Sequence, residues 1–355
     1  MASQPPGAPP ESVVLGQFSG LHNTVTRERL GADQLVRAVN VDLSDAGQLS
    51  RRRGYRKRLT GSWRSVTGID DIIYGVRDGV LGYCRADIAF QSLGIAVGTA
   101  PVCYTEVGGD VYFSSSVAQG VILNKNMSVI PWGKTGGQGT WNSPVYSPTA
   151  TLGEVGGKLL GDPPAATSLG AYKGRIYLAV GAILWATELF QFHFVDRTKN
   201  FMQFEDPITM ISVASDGLWI GTSGGLYFLR GSLEAFRPLE QFNVTKVSDD
   251  AVIPGSQVYA PGELIKPQTS DAPQPSGSAA MFMTTGGILA AFDGGACFNV
   301  TIGKFLFPTA VNAASLFRQD QGANTYVAAI DSAGGPSSTA RIGDYCDAEI
   351  IRGGG

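Results

Sequence analysis

One short pattern recurs along this chain and leaves few folds open to it: a glycine or aspartate, then a strand-length run of apolar residues that includes an aromatic. Its clearest copy is Ser215-Asp216-Gly217-Leu218-Trp219-Ile220-Gly221-Thr222-Ser223-Gly224-Gly225-Leu226-Tyr227-Phe228-Leu229. Two apolar segments flank Ser223-Gly224-Gly225, where glycine supplies the positive φ angles that a tight hairpin requires. Leu218, Trp219 and Ile220 are consecutive apolar residues, so both faces of that strand are covered, as happens when sheets stack on sheets.

Weaker copies begin at Asp71-Ile72-Ile73-Tyr74, Gly109-Asp110-Val111-Tyr112-Phe113, Gly174-Arg175-Ile176-Tyr177, Gly286-Gly287-Ile288-Leu289 and Tyr326-Val327-Ala328. Taking Ile73, Val111, Ile176, Leu218, Ile288 and Val327 as markers, the steps are 38, 65, 42, 70 and 39 residues. Three of these lie near the roughly 40–50-residue period of propeller blades. The two longer steps each contain a segment poor in strand signals, Trp132 to Pro164 and Pro254 to Ser278, read as excursions on surface loops. The expectation is an all-β, β-propeller-like body of about six blades spanning 61–355, with an extended N-terminal arm over 1–60 and two long loop insertions near 132–164 and 254–278. A pair of β-sandwiches is the competing all-β arrangement.

Composition agrees with a chain that turns often. Of 355 residues 47 are glycine, about 13% against about 7% in an ordinary globular chain. The hydrophobic fraction of 43% provides a core and excludes wholesale disorder. Scattered glycines without a G-X-Y period exclude collagen and a flexible linker. The Pro-rich start, Met1 to Pro10, has neither a basic nor an apolar signal region, so no signal peptide is expected. Apolar runs are too short for a transmembrane helix.

The motifs of common enzymes fail residue by residue. Gly133-Lys134-Thr135 lacks the P-loop's first glycine, Ser128 standing there, and lacks a following helix. Only His22 and His193 are present. His193 lies in Phe190-Gln191-Phe192-His193-Phe194, which suits a hydrogen-bonded structural imidazole better than a catalytic base. Asp70-Asp71, Glu205-Asp206 and Asp249-Asp250 are adjacent pairs, and neighbours on a strand point to opposite faces, so they cannot flank one glycosidic bond. Ser215-Asp216-Gly217 departs from the Asp-box order of sialidase propellers. Cys84, Cys103, Cys297 and Cys346 have no metal-ligand or redox spacing and read as reduced cytoplasmic thiols. The expectation is a non-enzyme with no cofactor, no metal and no small-molecule substrate, a glycan hydrolase being the enzyme-class rival.

Charge is unevenly placed. The chain carries 27 basic and 30 acidic side chains, net −3, but residues 1–60 hold nine basic and five acidic ones, leaving 18 and 25 elsewhere. A basic arm of net +4 thus precedes an acidic body of net −7. Within the arm Arg51, Arg52, Arg53, Arg56, Lys57 and Arg58, continued by Arg64, form a strip with no acidic residue among them. Such a strip suits docking on an acidic partner, contact with DNA beside Tyr55 and Trp63, or a solvated strand edge kept from pairing by its charge.

The arm also carries the most recognisable text: Phe18-Ser19-Gly20-Leu21-His22-Asn23, Val39-Asn40-Val41-Asp42, Ala46-Gly47-Gln48-Leu49 and Arg51-Arg52-Arg53-Gly54-Tyr55. In this order it resembles the N-terminus of virion structural proteins of tailed bacteriophages, above all the tail nozzle, or tail tubular protein B, of short-tailed phages. The resemblance implies a virion tail protein assembled in the host cytoplasm, a ring of six copies beneath the head-to-tail adaptor or portal-proximal protein. Double-stranded DNA would pass through it during ejection, and tail fibres or spikes would attach to it. It implies further that Asn40, Asp42, Gly47 and Gly54 fix the turns of the arm, and that the basic strip faces an adjacent subunit or the adaptor. An acidic body suits such a conduit, because each phosphate it neutralised would add salt-dependent affinity and slow sliding. The alternative is a propeller binding module for a host glycan or a fibre protein.

Overall fold

Side chains alternate across a strand, so a run that is apolar at every position makes a sheet with two apolar faces, and such a sheet needs a neighbour on each side. The computed structural model meets that need by stacking sheets in series. It describes residues 17–22, 24–35, 41–43, 47–51, 59–85, 89–133, 154–155, 158–231, 242–265, 277–303, 310–320 and 323–332.

Five four-stranded antiparallel sheets form the body. Blade 1 comprises Trp63–Ile69, Ile72–Arg77, Val80–Arg85 and Gln91–Ala96. Blade 2 comprises Cys103–Val107, Asp110–Ser114, Gln119–Leu123 and Ser128–Pro131. Blade 3 is Ser168–Tyr172, Arg175–Val180, Ile183–Ala186 and Phe201–Gln203; blade 4 is Ile208–Val213, Gly217–Thr222, Gly225–Arg230 and Asn243–Ser248. Blade 5 is Val258–Pro261, Ser278–Thr284, Gly287–Ala291 and Cys297–Asn299. The first strands of blades 1 to 4 touch one another in sequence order, which sets them side by side along the inside of the array. The fourth strands lie outermost; that of blade 4 is largely exposed. The architecture is a β-propeller. A long hairpin, Ala310–Asp320 with Ala323–Ser332, follows blade 5 where the sixth marker, Val327, stands.

Apolar layers lie between successive sheets, and the alternation can be read through all of them. Blade 1 turns Tyr74, Val76 and Leu81 toward Val111, Phe113 and Ile122 of blade 2. Blade 2 turns its other face, Tyr112 and Val121, toward Leu169, Ile176 and Leu178 of blade 3. Tyr177, Ala179 and Leu184 of blade 3 meet Ile211, Leu218 and Ile220 of blade 4. Trp219 and Phe228 of blade 4 meet Ala280, Phe282 and Ala291 of blade 5. Met281, Ile288 and Ala290 of blade 5 meet Phe317, Tyr326 and Ala328 of the hairpin. Each sheet therefore presents a leading face to the one before it and a trailing face to the one after.

Part of the second expected excursion belongs to the fold instead. Val258–Pro261 is the first strand of blade 5, paired with residues 278–281. Proline hid it from sequence reading, yet Pro261 stands at the strand's end, a place where a missing N–H is tolerated. Residues 266–276 lie outside the described residues. The first excursion likewise contains short strands, Glu154–Val155 and Lys158–Gly161, the latter paired with Val195–Asp196. Among the described residues no helix is long and apolar enough to cross a membrane.

Candidate functional site

In a four-stranded meander the turn between strands 2 and 3 lies at the same end as the connection to the next blade. That end gathers Asp78, Glu205, Asp206, Asp249 and Asp250, which form an acidic rim. Two units of the rim are built alike. Thr222-Ser223-Gly224-Gly225 and Thr284-Thr285-Gly286-Gly287 each join strands 2 and 3. Thr222 Oγ1 donates to Gly225 O at 3.0 Å and accepts from Gly224 N at 3.2 Å, and Thr284 Oγ1 does the same with Gly287 O and Gly286 N at the same distances. The second residue of each turn reaches back to the preceding connection: Ser223 N donates to Pro207 O and Thr285 N to Ala251 O, both at 2.9 Å. A Cβ on Gly224 would collide with the Asp206 carboxylate, and one on Gly286 with that of Asp250. Glycine there lets a carboxylate from the blade-to-blade connection lie against the turn.

Cations on the rim are tied to carboxylates. Lys246 Nζ lies 2.6 Å from Asp249 Oδ1, and Arg77 Nε lies 3.6 Å from Asp78 Oδ2. The hydrogen bond from Asp249 holds the Lys246 ammonium above its ordinary range. The rim thus faces solvent with acidic character, although these exposed pairs add little stability.

The first excursion leaves and rejoins the body at one stitched stem. Gln119 Nε2 donates to Trp132 O at 3.4 Å and to Pro163 O at 3.1 Å, joining the two ends. Trp132 Nε1 donates to Phe192 O at 2.7 Å, and its ring meets Tyr112 edge-on. His193, 6% exposed, packs edge-on against the same tyrosine. Its Nδ1 lies 3.1 Å from Gly133 N and 2.9 Å from Gly133 O. A ring with Nδ1 bare accepts from the N–H; one with the proton on Nδ1 donates to the carbonyl. Burial holds its pKa below the ordinary 6.5, against an opposing pull from the Gly133 hydrogen bond and the Asp162 charge. His193 is thus a hydrogen-bonded structural imidazole, as its aromatic surroundings suggested.

Of the residues picked from the arm, Arg51 is exposed at the end of the strand Leu49–Arg51, which pairs with Val41–Leu43. Asp42 lies within that second strand, opposite Ser50, and not in a turn. The reason is the Leu43–Leu49 pairing, which places the turn between those two residues. Gly47 sits in that turn with φ of 73°; its carbonyl accepts from Phe18 N at 2.8 Å, and a Cβ would meet Phe18 O at 2.9 Å. Asn40, Arg52, Arg53, Gly54, Arg56, Lys57 and Arg58 lie outside the described residues.

Nucleophiles are poorly placed for chemistry. Burial pushes the thiol of Cys103 up to about 12 and that of Cys297 up to about 11, so both stay protonated near neutrality. Among the described residues no group of three or more His, Cys, Asp or Glu side chains could hold a metal ion. The adjacent carboxylates occupy turns and connections: Asp70, at a positive φ, and Asp71 join the first two strands of blade 1, while the other two pairs belong to the rim.

No family model and no curated protein matches this sequence. Solved structures of similar fold exist at low identity. The extracellular domain of the putative one component system BT4673 from B. thetaiotaomicron is 10% identical, with a TM-score of 0.44 over 80% of this chain and 34% of that one. This chain thus spans about a third of that protein's length. The N-terminal domain of Nup159 is 8% identical, with a TM-score of 0.43 over 81% of this chain and 77% of that one.

Proposed function

We propose that this chain is a non-enzymatic tail structural protein of a short-tailed bacteriophage. In this reading it is a ring-forming nozzle below the head-to-tail adaptor, probed by DNA only in passing, with fibres or spikes attached. The observation that carries the reading is the separation of charge: an acidic rim whose cations are already tied to carboxylates, on a body preceded by a basic, nozzle-like arm. A surface of that sign repels phosphate and lets duplex pass without gripping it, while the arm remains free to dock on an acidic neighbour. Closing the ring requires heterologous contacts, each copy offering two different patches.

The test is electron microscopy of the phage particle with this chain carrying a bulky tag. Density for the tag around the channel below the adaptor is the expected result; density on the capsid surface or none in the particle refutes the reading. A second reading, a propeller binding module for a host glycan or a fibre protein, draws on the stitched stem at Trp132, Gly133 and Pro163, which fixes the base of a long surface excursion. Binding of host polysaccharide by isolated single copies, lost when the excursion is shortened, would favour that module over the nozzle.

A further inference from the structure

Six sheets stacked in series have five internal layers and two faces left over: the leading face of blade 1 and the trailing face of the hairpin. Both are apolar and both are open. On blade 1, Val66 is 55% and Ile73 48% exposed; on the hairpin, Leu316 is 52% exposed. Half-open apolar side chains on sheet faces mean that nothing in the described chain packs down on them.

The two faces differ in a way that has a precedent inside the molecule. Blade 1 raises large groups over glycines: Trp63 and Phe90 meet edge-to-face at 5.3 Å, and the Arg77 guanidinium lies 5.6 Å from the centre of the Phe90 ring. A Cβ on Gly75 would touch Val66 at 3.2 Å and Trp63 at 3.6 Å, and one on Gly82 would collide with Phe90. The hairpin's free face is instead recessed. Ala314 and Ala329 are cross-strand partners, and the Leu316–Val327 pair stands beside them. Between blades 4 and 5 the same elements already meet. There the Trp219–Phe228 pair, 4.7 Å apart, packs in one layer with Ala280 and Ala291, which are likewise cross-strand partners. A tryptophan–phenylalanine pair over an alanine pair is therefore a layer this sequence knows how to build.

We infer that the trailing face of the hairpin, centred on Ala314, Leu316, Val327 and Ala329, takes the leading face of blade 1 of a second copy, its Trp63, Val66, Ile73 and Phe90. The contact is heterologous, one kind of face on the other, so each copy offers one of each and copies join head to tail. The inference rests on the ring reading and names the surfaces that would close it.

Mass photometry and sedimentation of the full chain test it, using Ile73→Asp and Leu316→Asp. Both sites are half exposed, and circular dichroism reports whether each variant keeps its fold. The wild type is expected to associate, and either variant alone to weaken association by more than about tenfold, since a charge must be desolvated in an apolar layer. Mixing the two variants is the decisive step, because one intact face of each kind remains: dimers of one copy of each should form and grow no further. Wild-type rings unaffected by both variants would overturn the assigned faces and leave the nozzle reading standing. A wild-type chain that stays single would overturn both. Single copies whose variants melt earlier would show that the chain covers these faces itself, which also overturns the inference.

Discussion

Trp219 shows at the scale of one side chain what holds this molecule together. It is 1% exposed, donates through Nε1 to Phe292 O at 3.1 Å and stacks beside Phe228. Its removal deletes both the filling of the layer between blades 4 and 5 and a buried hydrogen bond. Trp219→Ala should cost about 3–5 kcal/mol, read as a lower urea midpoint at unchanged slope. His193 gives a pH dependence whose sign follows from burial. Its folded pKa lies below 6.5, so between the folded and unfolded values the unfolded chain binds more protons. The contribution of this ring is complete above about pH 6.5 and is lost as pH falls below it. His193→Asn, which offers an amide near the Nδ1 position and does not titrate, should flatten the loss of stability between about pH 7 and pH 5. An equally steep profile in the variant would show that the imidazole is not its source.

At the scale of elements, the sequence was legible where a turn and a strand declare themselves together. Four of the markers, Ile73, Val111, Ile176 and Leu218, fall in the second strands of blades 1 to 4. Ile288 falls instead in the third strand of blade 5, because Thr285-Gly286-Gly287 resembles a blade start while it closes the turn between strands 2 and 3. That shift, together with the strand Val258–Pro261 hidden between prolines, produced the longest marker step. The likeness of Thr222-Ser223-Gly224-Gly225 to Thr284-Thr285-Gly286-Gly287 was present in the letters. Its carboxylate partners were not, since Asp206 and Asp250 precede their glycines by different distances and meet them only in space. These turns make a direct test. Thr284→Val keeps the shape and removes the hydroxyl bonds to Gly287 O and Gly286 N, so it should cost about 1–3 kcal/mol in chemical denaturation. Thr222→Val should behave the same way.

At the scale of the whole molecule, an all-β propeller was readable because hairpin period and two-faced strands are local properties repeated along the chain. The serial order of layers was less so, since which face of each sheet leads depends on register. The two open end faces could not be read at all: an exposed Leu316 and a buried Leu218 look alike as letters. The acidic body and basic arm were readable as sums, but the gathering of Glu205, Asp206, Asp249 and Asp250 on one rim required the meander that brings successive connections to one end. The central claim is that copies of this chain form a conduit, and single-particle electron microscopy of the purified protein addresses it most directly. A closed ring, six-fold and open along its axis, is the expected image. Isolated discs at every protein concentration would contradict the claim.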